Sequence, residues 1–125
     1  MSYATELTKS FVAGGAITKR RIVKLGSNDG EVLQASAATD LLVGVSTEVD
    51  AASGARCDVH LGGIVEVEAG ASITRGTKVT ADANGKAVAA APSAGTNNEI
   101  IGIAMVTAAS GDIIPVLLAQ STKQG

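Results

Sequence analysis

The chain has 125 residues, a length that suits one domain burying about two-thirds of the surface of its unfolded form. Its net charge is −2 with both signs interspersed, and its only aromatic residues are Tyr3 and Phe11. Single-stranded nucleic acid is held by stacked aromatics and basic grooves, so this composition argues against a nucleic-acid partner. The lone cysteine rules out an internal disulfide, and neither a signal sequence nor an apolar run of about 20 residues predicts a membrane segment. We expect a soluble protein made in a reducing compartment.

Residues 1–15 differ from the rest of the chain. They are polar, lack the rhythm of turns and strands that follows, and end in a Gly-Gly pair, so we interpret them as an extended N-terminal arm. The arm carries Tyr3, Leu7 and Phe11, and aromatic anchors commonly dominate binding interfaces. Two interpretations remain open. The arm orders against a partner or a neighbouring subunit, or Phe11 packs on its own domain, as terminal segments often do.

Residues 16–120 alternate apolar and polar side chains between turn residues. Cys57, Val59 and Leu61 face one side of a predicted strand, and Asp58 and His60 face the other. Asn-Asp-Gly and Asn-Gly sequences lie between such stretches, where a hairpin needs a positive φ. The pattern predicts an all-β fold, a small antiparallel barrel or sandwich.

The domain repeats itself in sequence. Ile-Thr-Lys at 17–19 returns as Ile-Thr-Arg at 73–75, and Val-Gly-Val at 43–45 returns as Ile-Gly-Ile at 101–103. An Ala-Ala-Ser-Gly segment also occurs twice. We therefore predict two duplicated β-hairpin units, at approximately 16–70 and 71–120, with residues 121–125 frayed.

The last predicted strand is apolar on both faces. Pro115 lacks a ladder donor, which favours an edge strand or a bulge. Because an apolar edge aggregates unless it is covered, we expect a homo-oligomer. Ile113, Ile114 and Pro115 join the arm residues as candidate interface positions.

The chain offers little for catalysis. His60 is the only histidine, and strand alternation turns Cys57 away from Asp58 and His60. Glu66 and Glu68 share a strand face, where a solvated surface is the ordinary interpretation. One histidine and one cysteine do not make a zinc site, and no phosphate-binding glycine motif occurs, so we predict no metal, cofactor or catalytic residues.

A basic cluster occurs once, between residues 19 and 24. It is either an anion or acidic-partner contact or the solvated face of a strand. The cluster comprises Lys19, Arg20, Arg21 and Lys24.

The order of these elements resembles the capsid decoration, or cement, proteins of tailed bacteriophages. The motifs that carry the resemblance are Gly-x-Ile-Thr with a hairpin, Val-Gly-Val, the Val-x-Leu-Gly-Gly-Ile-Val-Glu-Val stretch and the closing Ile-Gly-Ile-Ala. They span residues 15–119. The resemblance implies a non-enzymatic virion protein on the outer surface of the head, made in the host cytoplasm, that bridges major capsid protein subunits and stabilises the shell. It also implies a homo-oligomer, for which we favour a trimer over a dimer.

Two other functions remain open. The first is another virion β module, such as a tail-tube or fibre-associated domain. The second, more remote, is a small β-fold enzyme that uses His60.

Overall fold

The computed structural model describes residues 7–125 of the chain. These residues form ten strands and no helix, so no helix among them is long and apolar enough to cross a membrane. The all-β fold class predicted from the sequence is confirmed. The strands are β1 (Leu7–Ala13), β2 (Ile22–Leu25), β3 (Glu31–Gln34), β4 (Leu42–Ser46), β5 (Arg56–Gly62), β6 (Ile64–Glu68), β7 (Lys78–Ala81), β8 (Ala87–Ala89), β9 (Asn97–Ala104) and β10 (Ile113–Gln124).

The first five strands close into a small barrel in the order β1-β3-β2-β4-β5. β1 runs antiparallel to β5, where Phe11 lies opposite Cys57, and parallel to β3, where Ala13 lies opposite Val32. The parallel pairing of β1 with β3 is what joins the two ends of the sheet. Residues 7–62 are the first unit.

The last five strands repeat this arrangement. Their sheet has the order β6-β10-β9-β7-β8, and a single parallel bridge between Ala69 and Ala87 brings β6 beside β8, as β1 lies beside β3. Residues 64–124 are therefore a second unit that matches the first strand for strand. β6 is the counterpart of β1, so it opens the second unit, whereas the sequence prediction placed it at the end of the first repeat.

A pair of backbone hydrogen bonds in the first unit has an equivalent pair in the second unit. Ile17 and Ala51 exchange two backbone bonds of 2.8 and 2.9 Å, and Ile73 and Ala108 exchange two of 2.9 and 2.8 Å. These bonds hold the loop before the second strand of each unit against the turn before the last strand. The duplication is thus a property of the backbone as well as of the sequence.

The units differ at the seam where the sheet closes. In the first unit the Val12 N–H donates to the Gly30 carbonyl at 2.8 Å. In the second unit the equivalent residues, Glu68 and Gly85, do not bond to each other. The Glu68 N–H donates to the Arg20 carbonyl at 3.0 Å, and the Gly85 carbonyl accepts from the Ile22 N–H at 2.8 Å. Residues 20–22 of the first unit are thus inserted between β6 and the turn before β8. These residues keep the sheet of the second unit from closing into a barrel, and their hydrogen bonds connect the two units.

The hydrophobic core consists of two clusters, and the larger one includes residues of both units. One cluster fills the first barrel, with Val23, Val32 and Val59 fully buried. A larger cluster contains the interior of the second unit together with Ile22 and Val45 from the outside of the first. Aliphatic and alanine side chains supply this packing, as expected for a chain with two aromatic residues.

The described part of the predicted arm is built into the barrel. Residues 7–13 are strand β1, and Phe11 is half-buried against the core cluster of the first barrel. This placement agrees with the interpretation in which Phe11 packs on its own domain. Backbone hydrogen bonds to β5 and β3 hold β1 in the barrel, and such bonds do not depend on apolar side chains, so the polar sequence did not predict a strand here. Tyr3 lies outside the described residues.

The C-terminal end also differs from its prediction. β10 continues to Gln124, and residues 121–124 pair with residues 97–100 of β9 instead of fraying. β10 lies between β6 and β9, so Pro115 does not mark an edge strand. The Pro115 carbonyl accepts a 3.1 Å hydrogen bond from the Met105 N–H just after β9, and the paired residues of the β9 ladder start at Val116, so the missing N–H of Pro115 removes no ladder bond.

Candidate functional site

The outer surface of the second unit carries an apolar patch on β6, β9 and β10. Leu117 lies in register between Ile64 on β6 and Ile103 on β9, and Pro115 lies beside them on the same face. Ile64 is 48% exposed and Leu117 38% exposed, which is high for large aliphatic side chains in a folded domain. We call this patch the apolar face. Its members are Ile64, Ile103, Met105, Ile113, Pro115 and Leu117.

The matching surface of the first unit is polar. Here β1 takes the place of β6, and β5 takes the place of β10. Thr8 Oγ1 and His60 Nδ1 share a hydrogen bond of 3.0 Å, and the Ser10 hydroxyl donates to Asp58 at 2.8 Å. Arg56 completes this surface with a 2.9 Å ion pair to Asp58. These polar groups satisfy one another, so the first unit presents an ordinary hydrated surface. The second unit presents aliphatic side chains at the matched positions of β10 and at Ile64, and Glu66 and Glu68 border them on β6.

A cleft of about 550 Å³ lies beside the apolar face, between the two units. Its floor and walls come from the end of β4, from β5 and β6, and from the inserted segment that contains Arg20. Its lining residues are Arg20, Ser46, Thr47, Glu48, His60, Ile64, Val65, Glu66 and Pro115.

One cation lies between two carboxylates in this cleft. The Arg20 guanidinium is 3.6 Å from Glu66 and 3.9 Å from Glu48, and both carboxylates are largely exposed. The backbone of Arg20 has a φ of 55°, in the left-handed region that is uncommon for residues with a side chain. Its N–H and carbonyl hold Thr47 and Glu68 on either side, and these two bonds fix that conformation.

Behind the cleft, Glu68 lies between two cations. Arg21 and Lys86 each approach its carboxylate to 3.2 Å, and Arg21 also donates to the Asn84 carbonyl at 2.9 Å. Partial burial of Glu68 acts to raise its pKa, but hydrogen bonds and positive charge from Lys86 and Arg21 hold the pKa below its ordinary value. This cluster joins β6, the turn before β8 and the inserted segment.

The basic cluster predicted at residues 19–24 therefore serves mainly internal ion pairs. Arg20 and Arg21 bind carboxylates of the second unit, and Lys24 pairs with Asp40 at 3.3 Å. The carboxylates Glu66 and Glu68 bind different cations.

The predicted interface residues have separate locations. Ile113 is exposed on the apolar face, and Pro115 lines the cleft, whereas Ile114 is 2% exposed and belongs to the core. Leu7 is 62% exposed at the start of β1, opposite Gly62. Ile64 and Leu117 were not among the interface residues predicted from the sequence. Alternation on their strands marks both as outward-facing and apolar.

The candidate catalytic residues do not form a triad. Cys57 is buried in the first barrel, and burial followed by the nearby charge of Asp58 raises the pKa of its thiol. Asp58 and His60 face outward, where they bind Arg56 and Thr8 respectively. Among residues 7–125, no group of three or more histidine, cysteine or acidic side chains is placed to hold a metal ion.

Comparison with known proteins shows the family to which this chain belongs. The phage cement protein family matches residues 3–118, so the chain belongs to this family and is a structural protein associated with the phage head. The crystal structure of the N base of head fiber gp8.5 in bacteriophage phi29 has a similar fold, with a TM-score of 0.69 at 20% identity. That match covers 96% of this chain and 99% of the other. No curated protein matches the chain in sequence.

Proposed function

We propose that this protein is a cement protein that docks on the outer surface of the phage head and bridges neighbouring major capsid protein subunits. Membership of the phage cement protein family supports the attachment to a head. In this role the protein contributes surface and no chemistry, and it needs no cofactor, nucleic acid or membrane. It is made in the host cytoplasm and then joins the virion.

The observation that carries the proposal is the contrast between the two units. Positions occupied by Thr8 and His60 in the first unit are occupied by Ile64 and Leu117 in the second, on the same backbone. Because the two surfaces share one architecture, the fold does not require an apolar surface there. A set of exposed aliphatic residues at matched positions indicates a binding surface.

Bridging requires several contacts per assembly. We propose a small closed homo-oligomer, a trimer in preference to a dimer, in which each copy presents its apolar face to the shell. Linked contacts raise the local concentration of each further contact, commonly to the millimolar range, so that modest individual affinities give firm attachment. Tyr3 and Leu7 in the predicted arm remain proposed interface positions, whereas Phe11 packs on the core of the first barrel.

Binding to undecorated heads tests the proposal. Ile64→Glu places a charge on the apolar face, and Thr8→Glu places the same charge at the matched position of the first unit. We expect Ile64→Glu to weaken binding by about tenfold to a hundredfold, since a buried aliphatic side chain is worth about 1.5–3 kcal/mol. Thr8→Glu should bind as the wild type does. Equal binding by both variants, with unchanged melting temperatures, would contradict the proposal.

A second candidate function is the base of a head fibre. The similarity to the phi29 head fiber base over nearly the whole chain favours it among the other virion roles, which include a tail-tube domain. Solution mass separates these roles. A cement protein forms a closed small oligomer, whereas a tube protein forms rings or open polymers. A fibre base should in addition retain a further fibre protein when virions are dissociated.

A further inference from the structure

Among residues 7–125, one edge of β6 has backbone groups without a backbone partner. Odd-numbered residues of this strand direct their peptide groups to β10, as shown by the Leu118 N–H, which donates to the Gly63 carbonyl at 2.9 Å. Even-numbered residues therefore direct theirs to the opposite edge. The Glu68 N–H follows this pattern and donates to the Arg20 carbonyl.

Before Glu68, that edge is free among the described residues. Within residues 7–125, no backbone group pairs with the peptide groups of Ile64 and Glu66 on this side. Both residues line the cleft between the units, as does Arg20, which ends the free edge. A free strand edge of this kind is a template for an added strand.

The cleft also has a charge preference. Glu48 and Glu66 have side chains 76% and 62% exposed, and they share the one guanidinium of Arg20. Two carboxylates facing one cation leave an excess negative charge at the mouth of the cleft. Ile64 and Pro115 supply an apolar wall beside it.

We propose that this cleft binds an extended segment of the capsid protein that carries a basic side chain next to an aliphatic one. The segment adds a short strand to β6, its basic side chain pairs with Glu48 and Glu66, and its aliphatic side chain packs on Ile64 and Pro115. This inference rests on the proposed function and specifies the contact through which the shell is held.

The termini of a second copy fit the cleft less well. Residues 1–6, Met-Ser-Tyr-Ala-Thr-Glu, contain an acidic side chain and no basic one. Residues 121–124 are already paired with β9. Charge complementarity therefore favours a capsid segment over a second copy of this chain.

Proline substitution tests the backbone contact. Glu66→Pro removes the N–H that faces the cleft and no bond of the β6–β10 ladder. Ser10→Pro makes the same change at the matched position of β1, where the N–H also points away from β5. Glu66→Gln removes the same carboxylate and keeps this N–H, so it controls for the lost charge. We expect Glu66→Pro to bind undecorated heads about tenfold more weakly than Glu66→Gln, because one lost hydrogen bond with its unsatisfied partner costs that much, and Ser10→Pro to bind as the wild type does.

A charge variant keeps the inference testable if proline prevents folding. Glu48→Gln with Glu66→Gln leaves the backbone intact, and we expect at least about fivefold weaker binding at low salt, a difference that shrinks as salt rises. Wild-type binding by both this variant and a folded Glu66→Pro protein would overturn the cleft inference while head binding itself, and so the proposed function, stands. If wild-type protein does not bind heads, the proposed function fails and this inference fails with it.

Cross-linking identifies the occupant. A photoreactive residue in place of Thr47, in the cleft wall, should capture a capsid peptide with adjacent aliphatic and basic residues from decorated heads. Capture of residues 1–6 of a second copy, or of an acidic capsid peptide, would contradict the inference.

Discussion

Gly44 and Gly102 occupy the same place in the two units, each packed against the backbone of the neighbouring strand. A Cβ at Gly44 would collide with the His60 carbonyl oxygen, and a Cβ at Gly102 would collide with that of Leu117. Both glycines lie in the apolar Val-Gly-Val or Ile-Gly-Ile segment that the sequence repeats. The repeat therefore preserves a close approach of two backbones, which requires the absence of a side chain.

Alanine at either glycine should destabilise the fold. Because backbone atoms must shift to admit the methyl group, we expect Gly44→Ala and Gly102→Ala each to lower the free energy of unfolding by about 1–3 kcal/mol. Gly15→Ala is the control, since its Cβ would lie 3.7 Å from the Leu33 side chain in ordinary contact. Urea unfolding monitored by circular dichroism measures the difference. A Gly102→Ala protein as stable as Gly15→Ala would contradict the packing described for β9 and β10.

The stabilising contribution of Glu68 should be lost in acid. Its pKa is lowered in the folded state, so its contribution is complete above the unfolded-state value, about 4.3 for a free glutamate, and is lost as the pH falls below it. Glu68→Gln should cost about 1–3 kcal/mol at pH 7, because it removes ion pairs to Arg21 and Lys86. The variant should also lose less stability than the wild type between pH 5 and pH 3, taken as rough bounds of the carboxyl range.

The control for this prediction is Glu48→Gln, which changes an exposed carboxylate with a single long contact to Arg20. It should change stability by no more than about 0.5 kcal/mol. Denaturant unfolding at several pH values measures both effects. Parallel pH profiles for Glu68→Gln and the wild type would show that Glu68 does not link the units.

Cys57 should be unreactive in the folded protein. It is 3% exposed in the first barrel, and its raised pKa leaves little thiolate at neutral pH. We expect iodoacetamide to modify it only when the barrel opens, at a rate that rises with added urea. Labelling in native buffer as fast as in the denatured chain would contradict its placement in the barrel core.

The repeat could be predicted because turn glycines and the Ile-Thr pairs are held by local geometry that both units need. The match of β1 to β6 could not, because the two strands share packing positions but few residue types. β1 was also obscured by Lys9, which lies 5.0 Å above the Phe11 ring and interrupts the apolar side of the strand. The pairing of residues 121–124 with β9 could not be predicted either, because it is made by the backbone and their side chains are polar.

The apolar face was predicted in part, and the cleft was not. Ile113 and Pro115 stood out as apolar residues in a strand without polar alternation, but Ile114 lies on the inner side of the same strand. The cleft depends on how residues 20–22 insert between β6 and β8, with Arg20 at a positive φ. A basic run in the sequence does not reveal that Arg20 and Arg21 form ion pairs with carboxylates of the other unit.

A density map of decorated heads, at a resolution that separates strands, shows directly which surface of the protein contacts the shell. We expect the outer side of β6 and β10, with Ile64 and Leu117, to lie against capsid protein, while Ser10 and Asp58 of the first unit face away from that contact. A map in which the first unit lies on the shell and Ile64 and Leu117 face solvent would contradict it.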